Sequence, residues 1–390
     1  MTPAARVQTA IELLDTIIAS ARAKGAPADR ILGDWFKQNR FAGSKDRRAI
    51  RELVYAAIRA CGPVPETGRA AMLRLGELDA SIPPLFDGSH YGPAPLGAQE
   101  RAAESGVAPA WLQQRLAGSG IEGDEAEALL GRAPLDIRVN SLKAERATLT
   151  LPVEAEPTAA PNGLRLPTGT PVERWMDYRD GKVEVQDTGS QLACLAVGAQ
   201  PGETIVDLCA GGGGKTLALA AAMDGLGRLI ASDTDRARLS RLKPRAERAG
   251  AGMIETRLLN PGQELEALSD LVGQADAVLV DAPCSGTGTW RRNPEARWRL
   301  DEAELARLRA LQDHVLDIAA QIVRPGGRIV YVTCSLLDEE GAQRFDAFLA
   351  RHPDLTPQDL ALPLGRPRGK GWRLSPFEDG TDGFFIACAA

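Results

Sequence analysis

The chain has 390 residues, 44% of them hydrophobic and 25% charged, which is ordinary usage for a globular protein of two or three domains. It holds no run of about 18 apolar residues, which excludes a transmembrane helix, and its six cysteines, none in a CxxC spacing, argue against a disulfide framework or a zinc centre. The net charge of −6 hides an asymmetry, because residues 1–61 carry eleven Lys and Arg against six Asp and Glu, and local patches rather than the global sum attract phosphates over a Debye length of about 10 Å.

From Arg6 to Gly62 the apolar positions recur three and four apart: Val7, Ile11, Leu14 and Ile18, then Ile50, Leu53, Val54, Ala57 and Ile58. That spacing predicts helices with one apolar stripe each, the last of them capped by Ser44. The start of the chain leads into this charged amphipathic segment, not into the apolar stretch of a signal peptide. With reduced thiols as the simplest reading of the cysteines, a cytoplasmic protein is expected. Residues 62–100 are rich in Gly and Pro and read as loops and short helices. Pro109 opens another short helix.

Around Pro134–Asn140 the pattern turns to alternation, then to a proline-punctuated stretch, so 131–185 reads as a small α+β module. From Thr204 onward strands and helices alternate. The strands are expected at Thr204–Cys209, Arg228–Asp233, Met253–Leu259, Ala277–Asp281, Arg328–Thr333 and Gly383–Cys388, the helices near 215–224, 235–249, 301–323 and 339–351. Such alternation predicts an α/β fold on a doubly wound parallel sheet.

In such sheets ligands gather at the carboxyl ends of the strands. The first strand runs into Cys209-Ala210-Gly211-Gly212-Gly213-Gly214-Lys215-Thr216. Its glycines let the backbone approach a ligand, and the helix that follows offers free N–H groups to a carboxylate or phosphate. A phosphate-binding P-loop would need glycine at position 209 and finds Cys209, so that motif fails by one residue. Asp233 ends the second strand some twenty residues later, where a carboxylate suits the two hydroxyls of a ribose, though it also suits a helix cap. Together they imply an adenosine-containing cofactor. Cys284, in Asp281-Ala282-Pro283-Cys284, and Cys334, in Val332-Thr333-Cys334-Ser335, stand at two further strand ends. Two thiols there point to nucleophilic catalysis, while Cys61, Cys194 and Cys388 read as small core residues. Trp290–Arg299, with four arginines, one acid and two tryptophans, suits stacking on bases.

In this order, Asp-x-Cys-Ala-x-x-Gly-Gly-Lys-Thr, Asp-Ala-Pro-Cys-Ser-Gly-Thr-Gly and Val-Thr-Cys-Ser resemble the RsmB/Nop/Sun family of S-adenosylmethionine-dependent RNA cytosine-5 methyltransferases. Ile137–Lys143, Val185–Gln191 and Asp382-Gly383-Phe384-Phe385 agree, and Asp46–Arg59 resembles a NusB-like helical domain. The resemblance implies a Rossmann-like class I methyltransferase domain over 186–390, a helical NusB-like RNA-binding domain over 1–130, and the RNA-contacting module 131–185 between them. It implies S-adenosylmethionine on Cys209, Ala210, Gly211–Gly214 and Lys215, its ribose on Asp233, with Arg238, Asn260 and Asp281 as neighbours and no metal. Two departures stand out: Gly211-Gly212 replaces the family's Ala-Pro, and Asn260 replaces an aspartate, leaving an amide to meet adenine.

The resemblance further assigns Cys334 as the nucleophile, Asp281 to the base's Watson–Crick edge, Lys215 near the target base and Cys284 to product release. Other cytosine methyltransferases draw their nucleophile from a Pro-Cys context, so the two thiols' roles remain exchangeable. Arg138, Lys143 and 290–299 are candidates for gripping RNA, expected to be ribosomal, and the protein is expected to act as a monomer without membrane or metal. A tRNA substrate, a non-catalytic RNA-binding or assembly factor, and a nucleotide hydrolase are the alternatives.

Overall fold

A computed structural model describes residues 1–390. The N-terminal stripes become the helices Pro3–Arg22, Ala28–Gln38, Ser44–Ala60 and Gly68–Leu78, followed by Ala110–Gly118. Thr2 starts the first of them, its hydroxyl accepting from Ala5 N at 3.2 Å. Val7, Ile11, Leu14, Ile18, Ile50, Val54, Ala57 and Ile58 are buried in one core. The cap expected at Ser44 is Gly43 instead, and Ser44 is already the first helical residue.

This helical unit comprises Met1–Gly131 and also Thr289–Asp301. The arginine- and tryptophan-rich segment therefore belongs with the helices, not with the sheet. Trp290, Trp298 and Arg297 are buried. Arg297 Nη2 donates to the carbonyls of Ile58 and Cys61 at 2.7 and 2.6 Å, at the helix end where carbonyls lack intrahelical partners. Trp298 Nε1 donates to Gly62 O at 3.2 Å, and Arg299 donates to Gly25 O and Ala26 O, both at 2.7 Å. Burial pulls the Arg297 guanidinium down to about 9. The expectation that both tryptophans stack on RNA bases is corrected: both rings are buried, and that of Trp298 lies in the helical unit's own core.

The second unit is Arg132–Gly288 with Glu302–Ala390. It holds two sheets. The smaller consists of β1 (Leu135–Val139), β2 (Glu156–Pro157), β3 (Gly163–Leu166) and β4 (Val183–Val185), in the order β2-β3-β1-β4, all antiparallel. The larger has nine strands: β5 (Thr204–Asp207), β6 (Arg228–Asp233), β7 (Ile254–Leu258), β8 (Ala275–Asp281), β9 (Val323–Thr333), β10 (Pro357–Gln358), β11 (Arg366–Arg368), β12 (Gly371–Leu374) and β13 (Phe384–Ala389). Strands β9-β8-β5-β6-β7 are parallel neighbours. The sheet is not parallel throughout, because β13 pairs antiparallel with β9, and β12 and β11 continue beyond it antiparallel.

Alternation along each parallel strand feeds two cores. Ile205, Leu229, Ala277, Leu279, Val330 and Val332 lie in the core on one face. Val206, Ile230, Val278, Val280, Ile329 and Tyr331 lie in the core on the other, as expected of a sheet covered by helices on both sides. The two sheets pack as one unit. Asn140 Nδ2 donates to Ala249 O at 2.8 Å, and Glu184 pairs with Arg245 and Arg248. No helix is long and apolar enough to cross a membrane.

Candidate functional site

The glycine turn leaves β5 and enters the helix Gly214–Ala222. Gly211 and Gly213 adopt φ of +54° and +83°, the left-handed region that glycine enters without steric cost. A Cβ on Gly213 would also come within 2.1 Å of Leu242 Cδ1. The turn is pinned from the next strand: Gly211 N donates to Asp233 Oδ2 at 2.8 Å, Asp235 N to Asp233 Oδ1 at 2.7 Å, and Arg245 Nη1 to Gly212 O at 2.5 Å. Asp233 thus orders the turn while leaving each carboxylate oxygen a further lone pair for a ribose hydroxyl. The helix cap is Asp235, which accepts from Ala237 N and Arg238 N.

Cys209 and Ala210 are partly exposed on the turn. Burial, followed by the charges of Asp207, Asp233 and Asp281, pushes the Cys209 thiol up, so it stays protonated. Beneath the turn Asp207 is buried and accepts from Thr216 Oγ1 at 2.6 Å. Its Oδ1 has no hydrogen-bond partner, and burial raises the carboxyl to about 7. Asn260 is exposed one residue after Leu259, whose N–H donates to Asp233 O at 2.9 Å. Arg238 is exposed, with Nε 3.4 Å from Asp235 Oδ2. Arg245 is the arginine that reaches the turn.

The reactive end is built by the neighbouring strands β8 and β9. Their register sets Asp281 beside Val332, and Ala282 N donates to Val332 O at 2.9 Å. Cys284 and Cys334 then fall just beyond the two strand ends, with sulfurs 3.4 Å apart and both partly exposed. The hydrogen bond to Cys334 raises the Cys284 thiol well above its usual range, with burial and the charges of Cys334 and Glu340 adding to it. Lys215 Nζ is 2.6 Å from Asp281 Oδ2 and 5.5 Å from the centre of the Phe384 ring. Burial lowers the Lys215 ammonium, but Asp281 outweighs it and the net direction is upward.

Strand β13 closes the site from the antiparallel side. Gly383 N donates to Gly288 O at 2.8 Å and Gly288 N to Cys334 O at 3.0 Å. A Cβ on Gly288 would lie 2.3 Å from Gly383 O, so this contact requires glycine.

The structure therefore gathers Lys215, Asp281, Cys284 and Cys334 at one end of the sheet, beside the turn 209–214 and Asp233. The sequence candidates for RNA contact at Arg138 and Lys143 are engaged with the protein itself. Arg138 is buried with Nε 2.7 Å from Gln186 Oε1, and Lys143 Nζ donates to Asp180 O and Arg248 O at 2.9 and 2.7 Å. Both hold backbone and side chains of their own unit. Glu340 and Arg245 join the site without having a motif of their own, and Phe384 brings the Asp382–Phe385 segment to Lys215. The Asp338-Glu339-Glu340 run is visible in the sequence, but not which carboxyl turns inward.

A glycine turn at the first strand, an acid at the second and chemistry at strand ends define a Rossmann-like nucleotide-cofactor domain. Residues 194–389 match the model of the 16S rRNA methyltransferase RsmB/F family. The chain is 34% identical over 291 residues to ribosomal RNA small subunit methyltransferase B of Xanthomonas campestris pv. campestris, covering 72% of this chain and 65% of that protein. It is 36% identical over 289 residues to the methyltransferase of the same description from Xylella fastidiosa, covering 72% and 67%. The chain thus spans about two thirds of the length of these relatives. The crystal structure of PH0851 superposes with a TM-score of 0.78 at 26% identity, over 100% of this chain and 99% of that one. The chain belongs to the RsmB/F methyltransferase family.

Proposed function

We propose that the protein transfers a methyl group from S-adenosylmethionine to carbon 5 of a cytosine in small-subunit ribosomal RNA, through a covalent adduct with Cys334. The observation that carries this reading is the pair of sulfurs 3.4 Å apart, next to the Lys215–Asp281 pair and one strand from the glycine turn. The turn suits the cofactor: the positive φ of Gly211 and Gly213 keeps side chains out of its path, and Asp233 offers acceptors for a ribose. When bound, S-adenosylmethionine supplies an electrophilic methyl group on a sulfonium.

Carbon 5 of cytosine is a poor nucleophile by itself. Addition of the Cys334 sulfur at carbon 6 moves electron density to carbon 5 and to ring nitrogen 3, which is covalent catalysis. Asp281 then shares a proton at nitrogen 3, with Lys215 fixing the carboxylate by their 2.6 Å contact. Once carbon 5 has been methylated, it must lose its proton and the carbon–sulfur bond must break. Cys284 acts in that release: as a thiolate it takes the carbon-5 proton, the C–H electrons restore the carbon 5–carbon 6 double bond, and Cys334 leaves as a thiolate 3.4 Å away. The base has to leave its stack to meet the thiol, so a loop or single strand is the target. The family's description and the relatives' names favour ribosomal RNA, and the basic excess of residues 1–61 would add phosphate attraction from the helical unit.

Bisulfite mapping of small-subunit ribosomal RNA, incubated with protein and S-adenosylmethionine, tests this. At least one cytosine should become resistant to conversion with the wild type and none with Cys334→Ala. RNA that stays fully convertible with the wild type would overturn the proposal.

A further inference from the structure

The two thiols sit on separate loops, and a buried carboxyl joins those loops. Glu340 is fully buried and lies in the turn Asp338–Glu340 that precedes the helix Ala342–Arg351. Its Oε1 accepts from Ser285 N at 2.9 Å and from Gln312 Nε2 at 3.0 Å, and its Oε2 accepts from Ser285 Oγ. Ser285 follows Cys284. Its hydroxyl stands 3.2 Å from that of Ser335, which follows Cys334, and Ser335 Oγ stands 3.2 Å from Thr287 Oγ1. Gln312, from the helix Glu302–Ile322, also donates to Pro283 O at 2.9 Å. One carboxyl thus gathers donors from the Cys284 loop and the long helix, while the Ser285–Ser335 contact carries the link to the Cys334 loop.

Burying a carboxyl costs several kcal/mol unless its oxygens are satisfied; both Glu340 oxygens accept hydrogen bonds here, and buried polar networks rigidify what they join. Chemistry at a thiol tolerates little play, since a misplacement of about 1 Å can cost roughly 100-fold in rate. We infer that Glu340 is a positioning residue of the two-thiol site, tying the Cys284 loop to the Cys334 loop so that the sulfurs meet; its link to methyl transfer rests on the function proposed above.

Two readouts separate this from a merely structural role. The first is methyl transfer by Glu340→Ala and Glu340→Gln. Glutamine keeps an acceptor for Ser285 N, so it should lose less than alanine. We expect kcat to fall roughly 100-fold for alanine, with KM for RNA and for S-adenosylmethionine little changed. The second needs no RNA. Phenylarsine oxide condenses with two adjacent thiols, forming two arsenic–sulfur bonds while both thiol protons leave with the oxygen as water. Peptide mapping should find arsenic bridging Cys284 and Cys334 in the wild type, weakly in Glu340→Gln and not in Glu340→Ala. Should alanine prevent folding, the glutamine variant and Ser285→Ala decide the question by the same readouts. Bridging at the wild-type rate in the variants, or a kcat loss that merely tracks the unfolded fraction, would overturn the inference. A wild type that bridges arsenic but methylates no RNA would remove the proposed function and leave the positioning role to the arsenical result.

Discussion

Asp207 shows how far a residue type can mislead about its state. In sequence it is one more acid at a strand end. In the structure it is buried under the glycine turn, with Thr216 Oγ1 its hydrogen-bond donor at 2.6 Å, and burial lifts it from 3.8 to about 7. A carboxyl whose pKa rises on folding binds protons more tightly in the folded state. Its contribution is therefore whole below about pH 4 and is lost as pH climbs through 7. Asp207→Asn keeps an acceptor for Thr216 and removes the titration. Denaturant unfolding of both proteins should give a stability difference that favours the variant increasingly between about pH 4 and pH 7, by on the order of 3–4 kcal/mol in all. A difference that stays flat over that range would contradict the account. The same limit applies to Glu340 and Gln312: a sequence states that a polar group exists, and only packing states whether water can reach it.

At the scale of elements the sequence was most legible where burial is two-sided. Arg228–Asp233 is found with the bounds expected, and Phe384–Ala389 lies within a residue of its own, because a buried run in a covered sheet leaves little else to choose. Ile254–Leu258 is also within a residue, although it is the half-exposed edge strand with polar residues at its centre. The direction of β13 was not legible, since an apolar run looks the same parallel or antiparallel. Strands β10, β11 and β12 are two to four residues long, with Pro357 in β10 and Arg366 and Pro367 in β11. Their pairing comes from the neighbouring strand and not from local pattern. The helix expected at 235–249 is two helices, Arg236–Leu239 and Leu242–Ala249, and the second supplies the Leu242 side chain that crowds Gly213. Gly213→Ala should cost about 2–4 kcal/mol, from a strained φ of +83° plus the clash with Leu242. Gly214→Ala is the control: nothing lies within 4 Å of its Cβ position, and it begins a helix, so it should be neutral or mildly stabilising. Urea unfolding of the two variants decides this, and equal effects would sink the explanation.

Across the whole molecule the chain order concealed one arrangement. Thr289–Asp301 leaves the loop after Cys284 and joins the helical unit, where Arg297 satisfies the carbonyls that end the helix Ser44–Ala60. A stretch of arginine and tryptophan reads equally as a nucleic-acid grip or as an anchor, and nothing local separates them. Contacts between residues more than 230 positions apart settle it. The paired cysteines were legible for the opposite reason: each stands just past an apolar strand, and parallel register brings such strand ends together without help from distant sequence. The central claim, that Cys334 attacks the base and Cys284 releases it, is tested most directly by trapping. Incubated with target RNA and S-adenosylmethionine, Cys284→Ala should give an RNA–protein band that survives a denaturing gel, and Cys334→Ala should give neither band nor methyl transfer. A band from Cys334→Ala and none from Cys284→Ala would exchange the two roles, and no band from either variant would contradict the covalent route.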